Sequence, residues 1–270
     1  MDAAAFRMFP RESRAAPSVR QSDQPAPPQA GNVGSPLQTL PPPQAAPPAP
    51  SSSAQLPVPV PAGPVVVIDP AHGGADSGAR GPSGVIEKNV VLQYARELKA
   101  ELERQGMRVV LTRNDDSNPS YDDRAAAANA YRDAIFVSLH VASTGAPNTV
   151  RCYYDQLTEV SSNQAAPAPA AAHPGVQPLV SWEQAQLLHL PASQRLANLI
   201  QVQVAQSFAG SPTQPAAAPI RQLRSIEAPA VAIEISNVAA TNEEALTAQS
   251  GALAAPIVRS ILAFRSVGTN

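Results

Sequence analysis

Two histidines and one glutamate stand at the ends of predicted secondary-structure elements. His72 follows the apolar run 65–68, Glu87 opens a helical pattern, and His140 follows the apolar run 134–139. Two neutral imidazoles and one carboxylate are a ligand set of catalytic zinc, because three protein ligands leave a fourth position for water or substrate. These residue types therefore predict an open zinc site.

Each of the three residues also has an ordinary structural interpretation. A single histidine after a strand is more often a loop or core residue than a ligand. A glutamate at the start of a helix stabilises the helix dipole by roughly a few tenths of a kcal/mol. The three residues are far apart in the chain, and no short motif of the HExxH kind joins them. Residue types and spacing alone leave both interpretations open.

Four charged residues near these positions have structural interpretations too. Asp69 and Asp76 flank His72 and are typical turn formers, although either could accept the imidazole N–H of a metal ligand. Arg113 and Arg124 follow the second predicted strand and open the second predicted helix. An ion pair is the expected role of such arginines.

The apolar patterns predict an α/β fold, a mostly parallel twisted sheet with helices on both faces. β-branched and other apolar runs alternate with helical patterns, in the order strand, helix, strand, helix, strand. The predicted boundaries are 65–68, 91–102, 107–111, 120–131 and 134–139. This order implies right-handed crossovers. His72 and His140 then lie at the carboxyl ends of strands, where open α/β sheets bind their ligands.

The chain after His140 supplies further elements of the same domain. Strands are predicted at 150–154, with Cys152 as a small apolar residue, and at 230–235. Helices are predicted around 196–204 and 253–264, and Pro256 should kink the last helix or mark its start. The intervening segment 155–188 is rich in Ala, Pro, Ser and Gln, and it is longer than an ordinary connection. We therefore interpret 155–188 as an insertion.

Composition separates the first 62 residues from the rest. Much of the proline, 30 residues in the whole chain, lies in this Pro/Ala/Gln-rich segment. Such a sequence buries too little apolar surface to fold, which predicts a disordered spacer at 1–62 and one folded domain at 63–267. The net charge of −2 and the lack of a basic stripe exclude a typical nucleic-acid-binding protein. No apolar run has the length of a signal-peptide core or a transmembrane helix.

Four segments resemble, in the same order, the catalytic domain of the zinc-dependent N-acetylmuramoyl-L-alanine amidases (the amidase 3 family). The resemblance spans about 63–267. The segments are IDPAHGGADSGARG, IEKNVVLQYARELKAELERQGMRVVLTR, DRAAAANAYRDAIFVSLH and LRSIEAPAVAIEISN.

This resemblance implies a function and a set of site residues. It implies Zn²⁺ held by His72, Glu87 and His140, with Glu234 as the general base that takes a proton from the attacking water. The substrate would be peptidoglycan, cleaved at the amide between N-acetylmuramic acid and L-alanine. A periplasmic or cell-envelope location and an activating protein partner are further expectations from the family.

The sequence departs from the family pattern beside the second histidine. The family commonly continues this histidine with a residue, then Asn and a small residue, whereas here Val141, Ala142 and Ser143 follow. The next strand lacks the usual glycine and carries Arg151 and Cys152. These changes leave the ligands in place and fall where substrate contacts are expected.

Alternative functions remain open at this stage. The same metal chemistry would serve a zinc peptidase or amidase for another peptide-like substrate. A non-catalytic cell-wall-binding module is the alternative from another class, although an acidic residue in an apolar strand, Glu234, favours an enzyme.

The insertion has three interpretations. Some family members carry an insertion that blocks the zinc with a carboxylate, and Glu159 and Glu183 are the candidates here. A substrate-gripping lid with Trp182 stacked on the ligand and a disordered surface loop are the others. The insertion leaves the sheet shortly after His140 and returns before the helix around 196–204, so we expect both its anchors to lie on elements adjacent to the cleft. We assign no ligand role to His173 or His189.

Overall fold

The computed structural model describes residues 65–81, 83–156, 182–236 and 242–266. The chain divides into two units, Met1–Pro61 and Ala62–Asn270, and every described residue belongs to the second. The predicted spacer at 1–62 lies outside the described residues, as do Glu159, His173 and the side chains of residues 182–184. The domain boundaries therefore stay a prediction.

A single mixed sheet organises the described part of the chain. Its strands stand in the order β2-β1-β3-β6-β4-β5. They are β1 Val65–Pro70, β2 Arg108–Leu111, β3 Ile135–Val141, β4 Val150–Asp155, β5 Ala216–Ala218 and β6 Ala230–Ile235. All neighbouring strands are parallel except β4 and β6, which are antiparallel. The predicted mostly parallel sheet is confirmed.

Six α-helices and one 3₁₀ helix, Trp182–Leu188, connect or cover the described strands. The α-helices are α1 Glu87–Arg104, α2 Tyr121–Asn129, α3 Leu190–Ser207, α4 Arg221–Arg224, α5 Glu243–Ala248 and α6 Ser250–Ser266. No helix of the described residues is both long and apolar enough to cross a membrane.

The two faces of the sheet differ in character because side chains alternate along each strand. On one face, aliphatic residues such as Ile68, Leu139 and Ile233 are buried in a core shared with α1, α3 and α6. The other face carries Ser138 and His140 of β3 and is contacted by α2 and α4. Ser138 and His140 therefore lie on the face opposite the main aliphatic core.

Local sequence signals explain where α1 and α2 begin and end. Gly106, just past α1, has φ +76°, a left-handed conformation that glycine adopts without strain. Ser120 caps α2 in a reciprocal capping box: its Oγ accepts from the Asp123 N–H at 3.1 Å, and the Asp123 carboxylate accepts from the Ser120 N–H at 3.1 Å. α2 ends at Asn129, two residues before the predicted end.

Several predictions about the later elements need correction. Pro256 lies inside α6, which begins six residues earlier at Ser250, so it does not mark the start of that helix. The elements β5, α4 and α5 were not predicted. β5 consists of three alanines and α4 has only four residues, so neither carries a periodic apolar pattern.

The direction of β4 places the ends of the insertion. β4 begins beside Ile235 and runs antiparallel to β6, so Asp155 lies toward the end of the sheet where β6 starts. After the insertion, Gln186 of the 3₁₀ helix donates to the carbonyls of Ile226 and Ala228, just before β6. β4 carries Tyr153 beside Glu234, so the first anchor does lie on an element next to the predicted site. The ends of the insertion themselves do not border it. They lie at the opposite end of the strands from His140.

Candidate metal centre

His72, Glu87 and His140 converge at the carboxyl ends of β1 and β3. Glu87 Oε1 lies 3.2 Å from His72 Nε2 and 3.2 Å from His140 Nδ1. One potential ligand atom from each residue lies within 4.8 Å of the others. The structure thus brings together all three residues that the sequence predicted as ligands.

This donor set fits zinc. Ligand atoms about 2.0–2.2 Å from a tetrahedral zinc are about 3.3–3.6 Å apart, close to the two separations between Glu87 and the imidazoles. The side chains of His140 and Glu87 are almost fully buried, and the His72 side chain is 8% exposed. A cavity of about 380 Å³, lined by both histidines, opens beside the cluster. The cluster is therefore accessible from this cavity.

His72 is held in a strained backbone conformation by its neighbours. Its φ of +64° is unusual for a residue with a side chain. The Arg124 guanidinium donates to the His72 carbonyl at 3.0 Å, and the imidazole Nδ1 lies 2.9 Å from the Asp76 carboxylate. Asp76 therefore fixes Nδ1 as the protonated nitrogen and leaves Nε2 free to bind a metal.

Asp76 serves both of its predicted roles. The second oxygen of its carboxylate accepts from the Gly78 N–H at 3.0 Å, which closes a turn around the histidine. The first oxygen faces the His72 imidazole. The acceptor role and the turn role belong to one side chain.

Glu87 is a helix-opening residue and a cluster member at once. Its Oε1 accepts from the Val141 N–H at 2.9 Å, and its Oε2 accepts from the Ala79 N–H at 2.7 Å. Burial would raise the pKa of Glu87, but the adjacent imidazoles of His140 and His72 outweigh burial and hold the pKa below its ordinary value. The carboxylate is thus ionised, as a metal ligand must be.

Three side chains contact the ring nitrogens of His140 and position the imidazole. Nδ1 faces Glu87, while Nε2 lies 3.4 Å from Ser138 Oγ and 3.2 Å from the amide nitrogen of Gln222. Gln222 belongs to α4, one of the elements that the sequence did not predict. The surroundings of His140 therefore include a residue that sequence analysis missed.

A buried polar network stabilises the strands beneath the cluster. Asp69 is paired with Arg124 and accepts from Thr112 Oγ1 at 2.6 Å and from Ser138 Oγ at 2.9 Å. Asp69 lies inside β1, so the predicted turn-forming role is wrong for this residue. The ion pair expected for Arg124 is confirmed. The pair connects α2 to β1 directly below His72.

Arg113 has carbonyl partners where an ion pair was expected. Its guanidinium donates to the carbonyls of Pro70, Ala71 and Lys88 at 2.8–2.9 Å. Two of these carbonyls immediately precede His72, and the third belongs to the residue after Glu87. Arg113 therefore ties the backbone of one ligand to the backbone of another.

Glu234 lies beside the cluster on the neighbouring strand. β3 and β6 pair in parallel with His140 opposite Glu234, which places both side chains on one face with Cα atoms about 4.8 Å apart. The Tyr153 hydroxyl donates to Glu234 Oε1 at 3.4 Å. Burial raises the pKa of Glu234, and the nearby His140 and the Tyr153 hydrogen bond only partly offset this. β6 is an interior strand, so Glu234 does not face solvent from a sheet edge.

Two residues of this environment, Gln222 and Tyr153, carried no usable signal in the sequence. Gln222 lies in a four-residue helix, and Tyr153 is one of two successive tyrosines in an ordinary strand. Their contacts with His140 and Glu234 depend on the position of α4 and on the reversed direction of β4. His189 precedes α3 and is not a member of the three-residue cluster.

Comparison with known proteins places this arrangement in a family. A family model described as N-acetylmuramoyl-L-alanine amidase matches residues 66–263. The chain belongs to this family. The match includes all three residues of the cluster and Glu234, in agreement with the resemblance predicted from the sequence.

Individual relatives support the same assignment. The N-acetylmuramoyl-L-alanine amidase AmiC of Neisseria meningitidis serogroup B is 45% identical over 85 residues, which are 32% of this chain and 20% of that protein. The chain thus matches about a fifth of the length of this curated relative.

Solved structures match over a larger share of both chains. The catalytic domain of CwlV, an N-acetylmuramoyl-L-alanine amidase from Bacillus (Paenibacillus) polymyxa var. colistinus, has a TM-score of 0.57 and 25% identity, and the match covers 75% of this chain and 98% of that one. The CwlD amidase from Clostridioides difficile, solved in complex with the GerS lipoprotein, has a TM-score of 0.56 at 19% identity, with coverage of 75% and 98%. The fold of the family is therefore present in nearly complete form.

Proposed function

We propose that this chain is a zinc-dependent N-acetylmuramoyl-L-alanine amidase that hydrolyses the amide between N-acetylmuramic acid and L-alanine in peptidoglycan. The observation that carries the proposal is the placement of a carboxylate, Glu234, directly beside a histidine of a three-residue metal-ligand cluster. Membership of the amidase family then selects the substrate class. When bound, zinc supplies polarisation of the scissile carbonyl and activation of the attacking water.

His72, Glu87 and His140 would hold the metal through Nε2, a carboxylate oxygen and Nδ1. Asp76 and the backbone N–H groups of Ala79 and Val141 fix two of these ligands before a metal binds. A site formed in advance does not spend binding free energy on ordering its own side chains.

Glu234 would act as general base and then as general acid. Burial raises its pKa, so the carboxylate is a stronger base than an exposed glutamate and can return the proton to the leaving amine. Tyr153 holds one of its oxygens, and Arg151 lies opposite on β4. These neighbours hold the carboxylate on the face of the sheet that carries His140.

The departures from the family pattern fall around the cleft and leave the proposed catalytic groups unchanged. Val141 gives its N–H to Glu87, a contact made by the backbone that any non-proline residue can supply. Arg151 on β4 stands opposite Glu234 on β6 in the strand register. We therefore expect these departures to change substrate preference.

The test is turnover of a purified peptidoglycan fragment that contains the intact muramoyl–alanine amide. Wild type should release a peptide with a free alanine amine, detected by mass spectrometry. Glu234→Gln should keep its zinc and its fold and lose at least about a hundredfold in turnover. His140→Ala should lose zinc affinity sharply, because two ligands bind zinc poorly.

The matched control is Glu227→Gln, which makes the same chemical change at an exposed position just before β6. Its turnover should equal that of wild type. Full zinc occupancy in His140→Ala would refute the ligand assignment. Cleavage at a peptide bond would instead identify a zinc peptidase, and wall binding without cleavage would identify a non-catalytic module.

Location and partners follow from the substrate. Peptidoglycan lies outside the cytoplasmic membrane, so we infer a periplasmic or other cell-envelope location, which cell fractionation tests. The proposal includes a protein partner that raises the basal activity. The CwlD amidase, which was solved in complex with a lipoprotein, supports the existence of a partner. Higher turnover in a cell-envelope extract than with the purified chain alone would support such a partner.

A further inference from the structure

Gln222 places an amide against the buried side of His140. The residue is 8% exposed, and its Nε2 lies 3.2 Å from His140 Nε2. Its Oε1 is buried and has no hydrogen-bond partner among the residues that the structure describes. A buried carbonyl oxygen without a partner is costly, so this oxygen should have a partner in some functional state.

The metal-binding nitrogen of His140 decides what that partner is. Nδ1 faces Glu87 Oε1 and the cluster, so it is the atom that would bind the metal. Nδ1 must then give up its hydrogen, and the hydrogen of the neutral ring moves to Nε2. The group beside Nε2 must therefore accept a hydrogen bond when the metal is bound.

The amide of Gln222 meets this requirement by turning over. In the arrangement observed, its NH₂ group can donate to the lone pair of Nε2 while Nδ1–H donates to Glu87. A half-turn of the amide places Oε1 against Nε2–H, and the unpartnered oxygen gains a hydrogen bond. An amide can do both because it carries a donor and an acceptor of nearly the same size.

Ser138 is the other group near Nε2, and its geometry is poorer. Ser138 Oγ lies 3.4 Å from Nε2 and already gives its own hydrogen to Asp69 at 2.9 Å. His72 has a stronger arrangement, with the Asp76 carboxylate 2.9 Å from its outer nitrogen. The outer nitrogen of His72 thus has a carboxylate as its acceptor, whereas the outer nitrogen of His140, Nε2, has only uncharged groups to accept its hydrogen.

We propose that Gln222 is a positioning residue that sets the tautomer and orientation of His140, donating to Nε2 without metal and accepting from Nε2–H with metal bound. This inference rests on the metal centre of the proposed function. It assigns to α4 a direct influence on metal affinity.

The test compares Gln222→Met with Gln222→Glu in the full-length chain. Methionine has nearly the length of glutamine and offers no comparable acceptor, so zinc affinity in competition with a chelator should fall about 10- to 100-fold. Glutamate supplies an acceptor and should recover most of that loss. The ¹⁵N spectrum of His140 in zinc-loaded wild type should show a protonated Nε2, assigned by its absence in His140→Ala.

Gln186→Met is the matched control. Gln186 is also buried, but its amide donates to the carbonyls of Ile226 and Ala228 and does not contact a ligand. This variant should lose thermal stability and keep the zinc affinity of wild type.

Each outcome separates this inference from the proposed function. Wild-type zinc affinity in Gln222→Met, or a protonated Nδ1 in the zinc-loaded protein, would overturn the role of Gln222 alone. Equal losses in Gln222→Met and Gln222→Glu would show that His140 does not need an acceptor from this residue, which would also overturn the role of Gln222. Failure of wild type to bind zinc would refute the metal centre itself.

Discussion

Glu87 makes more contacts than a metal ligand requires. Two backbone N–H groups and two imidazoles surround its carboxylate. This saturation offsets the cost of burying the charge, which is several kcal/mol for an unpaired carboxylate. The cluster should therefore keep its shape without metal, and reaction with a chelator should leave the fold intact.

Gly78 is where the packing around the cluster leaves no room. Its φ is +62°, and a Cβ at this position would lie 2.5 Å from Glu87 Oε2 and 2.6 Å from His72 Cδ2. Gly78→Ala should therefore displace both ligands and lower zinc affinity at least about tenfold, by the scale of disturbances next to a ligand. Chelator competition on the purified variant measures the effect.

Gly84→Ala separates backbone strain from the clash. Gly84 also has a positive φ, +84°, but a Cβ there would meet nothing within 4 Å. This variant should lose about 1 kcal/mol of stability and keep its zinc affinity. Equal zinc affinities in the two variants would show that the space around Gly78 does not position the ligands.

For individual residues, the sequence predicted the members of the cluster and did not predict the side chains that hold them in position. His72, Glu87 and His140 were recognisable because each ends or opens an element and stands in a family segment. Gln222 was not, because its contact depends on where a four-residue helix packs. A side chain's partner across the fold leaves no trace in its local sequence pattern.

Among the elements, β6 lies where the two strand directions meet. Its parallel neighbour β3 supplies His140, and its antiparallel neighbour β4 supplies Tyr153. Apolar runs predicted the existence of both neighbours, since a buried strand needs such a run. They did not predict the reversal of β4, because an apolar run has the same composition in either direction.

Asp155, at the end of β4, makes stability depend on pH. Its Oδ1 accepts from the Ile220 N–H at 2.8 Å, whereas its Oδ2 is buried without a partner among the described residues. Burial raises the pKa of Asp155 above its ordinary value of 3.8, against opposing contributions from the Ile220 hydrogen bond and Arg224. The folded state therefore holds the proton more tightly than the unfolded state does. The contribution to stability is complete below pH 3.8 and is lost as the pH rises through the raised pKa.

Asp155→Asn should remove this dependence. Between pH 4 and the raised pKa, its free energy of unfolding should gain on that of wild type by up to about 1.4 kcal/mol per pH unit. Urea denaturation at several pH values measures the difference. Asp133→Asn, at an exposed position before β3, is the control. A constant difference between wild type and Asp155→Asn across this range would contradict the prediction.

For the whole molecule, the family match and the second unit of the chain begin at nearly the same residue. The match starts at residue 66, and the second unit starts at Ala62. Removal of residues 1–62 should leave the melting temperature within about 2 °C of the full chain, since a segment without a core adds little stability. Scanning calorimetry and zinc titration of the two chains test this. A loss of several degrees would show that the first 62 residues pack on the domain.

The antiparallel direction of β4 also determines how far residues of the insertion must reach to arrive at the metal cluster. Arg151 lies level with Glu234 and His140, and Asp155 is four residues further, about 13 Å along the strand. Glu159 is four residues beyond Asp155, and four residues span at most about 14 Å when fully extended. The four residues from Asp155 to Glu159 would have to run fully extended, straight back over the sheet, for the Glu159 carboxylate to reach a metal bound beside His140. The 3₁₀ helix that contains position 183 is anchored through Gln186 at the same remote end. Geometry thus counts against either glutamate as a plug.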